Sequence, residues 1–334
     1  MAIGPVGIGL FSEPVLAALD PAVSVALAAL GVFVGLDLKI RRPREDRLLA
    51  AASLEAGVTI LVVAGGVLLL HWLSPFSSLR SPWLFAVLLG LGASSSSTPA
   101  EASSETPQPA GLRIGDLDDV LPIVLGALAL AWAREGSPGA SAWVQMQAVA
   151  IALMIAAAGW LLVQTSSDSE QRVFAIGALL LLGGAAAHLS LSALFVGFLA
   201  GVFWNAAGPP ALDALARDMR YLQHPLTVLL LVAAGARVVF SADAAGLVVA
   251  YVVLRTAAKL AGGWLAAAAV APELPRDVGF HLTSPGIVGI AFALNALQAR
   301  GDEGTVSTVF AVVVAGSLAS DVLSLLASRR EGPA

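Results

Sequence analysis

The chain has 334 residues, of which 58% are hydrophobic and only 12% charged; soluble domains carry roughly 25% charged residues, so a large water-soluble catalytic domain is excluded. Cysteine is absent and the histidines are scattered, which removes disulfides, thiolate chemistry and a zinc-type cluster. A net charge of −5 with no basic stripe argues against a nucleic-acid partner.

Mean hydropathy is +0.86 and is spread along the whole length. Cutting at charges, prolines and Ser/Gly clusters predicts about eleven helical spans, near 14–38, 48–72, 82–105, 110–134, 142–164, 171–188, 190–206, 224–240, 244–269, 278–298 and 304–327. Their continuous Leu, Ala, Val and Gly runs lack the two-residue alternation of a membrane barrel. The expected fold class is therefore an all-α polytopic membrane protein, in contact with membrane lipids.

Cytoplasmic loops are enriched in Lys and Arg. With an outside start, Lys39, Arg41, Arg42, Arg44, Arg47, Arg113, Arg172, Arg217, Arg220, Arg276, Arg329 and Arg330 fall inside, against Arg80, Arg134 and Arg300 outside. The expectation is an inner-membrane protein with its N-terminus outside and its C-terminus inside. Arg237, Arg255 and Lys259 fall within spans. Asp20, Asp243 and Asp321 fall near predicted helix ends, where charge is cheap, and Arg237 is expected to snorkel outward.

The third span contains Ser94-Ser95-Ser96-Ser97-Thr98-Pro99 and the tenth contains Thr283-Ser284-Pro285-Gly286. Pro and Gly loosen helical hydrogen bonds, and freed carbonyls are tolerable at membrane depth only beside a polar cavity. The offset between these spans is odd, so two broken helices running in opposite directions are expected, as in inverted-topology repeats that cross at a binding site. Ser97, Thr98, Thr283 and Ser284 are the candidate oxygens of an ion path there.

A helix starting near Pro109 places Asp118 and Asp119 roughly 12 Å along its axis. An uncompensated charge at that depth costs about 2.5–3.5 kcal/mol, so such groups line water or pair with one another. Arg255 and Lys259 are four residues apart on one face of the ninth span and are the available cations, with Lys259 the expected partner. Glu55, early in the second span, is a weaker candidate for the same cavity. A low dielectric penalises the charged form of acid and base alike, which brings proton exchange within reach.

With those residues located, the chain resembles the membrane part of the monovalent cation:proton antiporter family, which includes sodium/proton exchangers and Kef-type carriers. The likeness rests on IGPVGIGL, GVFVGLDLKIRR, LLGLGASSSSTP, GDLDDVLPIVLGALALA, RTAAKLAGG and SPGIVGIAFAL, in that order. It implies that Asp119 carries the cation or proton and that Asp118 pairs with Lys259. It implies a core of two inverted triplets, 48–134 and 244–327, and a dimerisation scaffold, 14–38 and 142–240. The partners implied are a monovalent cation (Na⁺ or K⁺), protons and a second copy of the chain, with no cofactor and no enzymatic activity. The resemblance leans toward charge-moving exchange of sodium. Three other classes compete: a degenerate, non-transporting sensor or scaffold, a sodium-coupled organic anion carrier of related fold, and an intramembrane aspartyl protease, which needs two Asp from different helices.

Overall fold

The computed structural model describes residues 12–38, 43–73, 81–97, 110–165, 168–208, 211–239, 244–299 and 303–328. Among the described residues the secondary structure is helical: α1 (Glu13–Asp37), α2 (Pro43–Leu73), α3 (Pro82–Ala93), α4 (Ala110–Leu117), α5 (Val120–Glu135), α6 (Pro138–Thr165), α7 (Asp168–His188), α8 (Ala193–Ala207), α9 (Ala211–Arg237), α10 (Ala244–Ala269), α11 (Val278–His281), α12 (Ile287–Gln298) and α13 (Glu303–Ser328). The sole extended pairing among these residues is one antiparallel bridge between Ser96 and Pro285. Among the described residues, six helical stretches are long and apolar enough to cross a membrane: Glu13–Asp37, Asp46–Leu73, Pro138–Gln164, Glu170–His188, Ala244–Ala269 and Gly304–Ser324. The protein is an all-α integral membrane protein. Exposed Leu, Val, Met and Trp side chains such as Leu61, Trp72, Met154, Leu181 and Val253 suit a lipid solvent, in which apolar exposure costs nothing.

The chain divides into two compact units. The first takes Met1–Arg41, Ala127–Val238 and Leu294–Gly301. Pro14 sits in the first turn of α1, where its missing N–H is no loss and its fixed φ suits the helix. Pairing of α1 with α8 is decided by glycine. A Cβ on Gly31 or Gly35 would collide with the carbonyl of Leu194 or Phe198, and one on Gly197 or Gly201 with the carbonyl of Ala28 or Val32. The two backbones therefore touch along a small-xxx-small seam, the way helices gain van der Waals contact where the lipid offers no hydrophobic drive. The Asn295 side chain accepts from Ala193 N at 3.1 Å and donates to Ser192 Oγ at 3.0 Å, which fixes the start of α8. Gly197→Val is expected to force this seam apart and to lower the thermal midpoint in detergent by more than any Leu→Ala change on the exposed face of α6.

The second unit takes Arg42–Gly126, Val239–Ala293 and Asp302–Ala334. Here α2 packs on α3 and α10, and α10 on α13, again through glycine: a Cβ on Gly90 would strike the Ile60 carbonyl, and one on Gly316 the Tyr251 ring. Helix α3 stops at Ala93 because Ser94 turns its hydroxyl back onto the Leu91 carbonyl, 2.9 Å away, the competition by which serine ends helices. Helices α11 and α12 are separated at 282–286, since Pro285 disfavours helical geometry in Ser284 and brings no N–H of its own.

Three expectations are corrected. The span over 110–134 is not one continuous helix: a two-residue turn at Asp118 and Asp119 separates α4 from α5. Pro122 is the reason, because a helix would need its N–H to bond the carbonyl of Asp118, four residues back. The span placed at 224–240 belongs to a helix that begins at Ala211 and runs through Pro225, which costs α9 one backbone bond without ending it. Arg237, expected to reach outward alone, is instead paired with Asp20. Asp20 lies inside α1, and Arg237 Nη2 donates to its carboxylate at 2.6 Å and to the Leu16 carbonyl at 2.8 Å.

Candidate functional site

The two helix breaks of the second unit meet face to face. Ser97 N donates to the Ser284 carbonyl at 3.0 Å, and Gly286 N donates to the Ser95 carbonyl at 3.2 Å. The side chains join in: Ser97 Oγ donates to Ser284 Oγ at 2.8 Å, and Ser96 Oγ to the Leu282 carbonyl at 3.0 Å. Gly286 is required at the crossing, because a Cβ there would run into Ser95 Oγ and the Ser96 carbonyl. The breaks thus satisfy much of one another's main chain, as buried backbone must.

Helix α10 supplies the charge that holds the crossing. Arg255 is fully buried and spends its donors on main-chain oxygens. Nε reaches the Ala93 carbonyl at 3.0 Å, and Nη2 the carbonyls of Ser95 at 2.9 Å and Ser284 at 3.4 Å. Nη1 donates to the Thr283 carbonyl. A planar fork of five N–H donors is suited to gathering several acceptors at once. One turn further along α10, Lys259 is equally buried. Its ammonium donates to Asp118 Oδ2 at 2.9 Å, to Glu55 Oε2 at 3.1 Å and to the Ser94 carbonyl. Three N–H bonds meet three acceptors.

The carboxylates arrive from two elements. Asp118 sits in the turn between α4 and α5, and its Oδ1 accepts from Ser96 N at 3.3 Å. Glu55 comes from the middle of α2, held by Thr59 Oγ1 at 2.9 Å. Gly262 on α10 makes room for it, since a Cβ there would stand 3.2 Å from Glu55 Cγ. Asp119, next to Asp118, is only 8% exposed, and its Oδ1 has no hydrogen-bond partner among the described residues. The neighbouring Ser95 Oγ is likewise buried and faces the Asp119 carboxyl. A buried polar atom without a partner calls for an explanation, a bound ion or water being one.

The pairing expected between Asp118 and Lys259 is present, with Glu55 as a second, equal partner rather than a peripheral one. Among the predicted ion-path hydroxyls, those of Ser97 and Ser284 lie at the crossing. The Thr283 hydroxyl turns away to the Phe280 carbonyl at 2.7 Å, and only its main-chain oxygen enters the site. Thr98 lies outside the described residues. Asp321, read from the sequence as a helix-end charge without chemistry, is an exposed acid of α13 whose Oδ1 accepts from Ser284 Oγ at 3.4 Å. It tethers the crossing to the surface, a role that only the tertiary fold reveals. In the first unit, a polar cavity of about 420 Å³ is lined by Asp20, Ser24, Ser190, Arg237 and Gln298 among others, and its acid and base neutralise each other.

No protein-family model matches the chain, and no curated protein matches it.

Proposed function

We propose that the chain is a secondary antiporter that exchanges a monovalent cation for protons across the membrane by alternating access, with Asp119 as the group they compete for. The observation that carries this reading is a charge deficit. The buried cluster holds three carboxylates, Glu55, Asp118 and Asp119, against two cations, Lys259 and Arg255. Leaving a charge uncompensated at this depth is costly. The deficit falls at Asp119, whose Oδ1 has no hydrogen-bond partner among the described residues and whose carboxyl lies beside the Ser95 hydroxyl. A proton removes it, and so does a desolvated cation. Both cannot sit there at once, and that exclusion couples the two gradients.

Two broken elements that cross antiparallel beside buried acids support the architecture of inverted triplets with about eleven crossings. The bias of Lys and Arg supports an inner-membrane protein with its N-terminus outside and C-terminus inside, and a homodimer completes the reading. A sodium-coupled anion carrier needs free donors at the crossing, whereas Arg255 is engaged by carbonyls. A protease dyad needs two acids sharing a proton, whereas the ammonium of Lys259 stands between Glu55 and Asp118. Nothing in the site favours a sensor or scaffold that has lost transport.

In proteoliposomes with an internal pH dye, the full chain is expected to dissipate an imposed pH gradient on addition of Na⁺, K⁺ or Li⁺, tested side by side. Failure with all three would defeat the proposal.

A further inference from the structure

The Lys259 ammonium has two carboxylate partners from two different elements, and this bears on how much charge each turnover moves. The argument rests on the exchange reading above. With Glu55, Asp118 and Asp119 ionised and Lys259 and Arg255 protonated, the buried cluster sums to minus one. A proton on Asp119 brings the sum to zero, and so does a monovalent cation. If Asp118 also turned toward the cation, a lysine with no other acid partner would lose its main reason to stay charged, and a second proton would leave. Two protons would then exchange for one cation, and the cycle would carry current.

Glu55 removes that outcome. It stands 3.1 Å from Lys259 Nζ, it is as buried as Asp118, and Thr59 and the close-packed Gly262 hold it in place. When Asp118 swings away, Glu55 and the Ser94 carbonyl still hold the ammonium. We infer that Glu55 is a positioning residue that keeps Lys259 protonated throughout the cycle, so that one cation exchanges for one proton and no net charge crosses. Proton balance is complete: the only proton released is the one on Asp119, and the incoming cation takes its place.

The test pairs proton flux, read by the internal dye, with current on a supported membrane carrying the same full-length protein. Wild type is expected to show cation-dependent proton flux without current. Glu55→Gln keeps the side-chain shape and removes the second acid, and it is expected to add a current that scales with flux. Glu55→Asp is expected to return the exchange to current-free operation. Wild-type flux accompanied by proportionate current would overturn the inference while leaving the exchange reading intact, as would Glu55→Gln flux that stays silent electrically. Should Glu55→Gln fail to fold, Glu55→Ala, which also removes the second acid, is measured in its place with the same two outcomes. Absence of any wild-type flux would instead defeat the exchange reading itself, and the inference with it.

Discussion

Asp119→Asn is expected to reduce cation-dependent proton flux to the level of protein-free liposomes while leaving the thermal midpoint in detergent unchanged or raised. The two halves of this expectation share one cause. The Asp119 carboxylate is buried with an unpartnered oxygen, so it contributes little to holding the fold and retains a charge at a cost. Asparagine keeps the shape and discards the charge. An isolated buried charge is disfavoured by several kcal/mol in principle, although it escapes much of that by taking up a proton, so the stability gain is expected to be modest. Undiminished flux would remove Asp119 from its role, and a collapse in thermal stability would make that role structural.

Lys259→Met should act in the opposite sense. It leaves Glu55 and Asp118 facing each other with no cation between them, in a place where both are fully buried. Breaking a buried ion pair from one side costs about 3–5 kcal/mol, because the remaining charge is stranded. The variant is expected to melt well below wild type. Adding Glu55→Gln and Asp118→Asn to the same chain should recover most of the loss, since a cluster without charges strands none. Thermal scanning of the single and triple variants checks this directly, and a Lys259→Met protein as stable as wild type would mean that the cluster does not hold the fold.

The long spans were legible because hydropathy is a sum over twenty or so residues: α10 lies at 244–269 as expected, and α2, α6 and α13 are within a few residues of their predicted positions. The breaks were legible because Ser-Thr-Pro and Ser-Pro-Gly contradict the helix around them. Helix α9 was misjudged because Pro225 reads as a boundary locally, whereas tertiary packing absorbs one missing bond. The turn at Asp118 and Asp119 was missed although its cause, Pro122, stands in plain view three residues after Asp119. Glu55 was underrated for a different reason. Depth along a helix is readable from sequence, but which face looks toward Lys259, some two hundred positions away, is not. The glycine seam was written in GVFVG and GFLAG, and only the partnering of α1 with α8 gives the two motifs their meaning.

The contacts made by Arg255 are all to main-chain oxygens. What the guanidinium recognises is therefore a path of the polypeptide and not the identity of the residues along it. Exchanging Ser95 for alanine leaves those acceptors where they are. A change that bends the chain itself, such as a bulkier residue at Gly286 or loss of the ring at Pro285, moves several of them together. The keystone of the site is in this sense tolerant of decoration and intolerant of curvature.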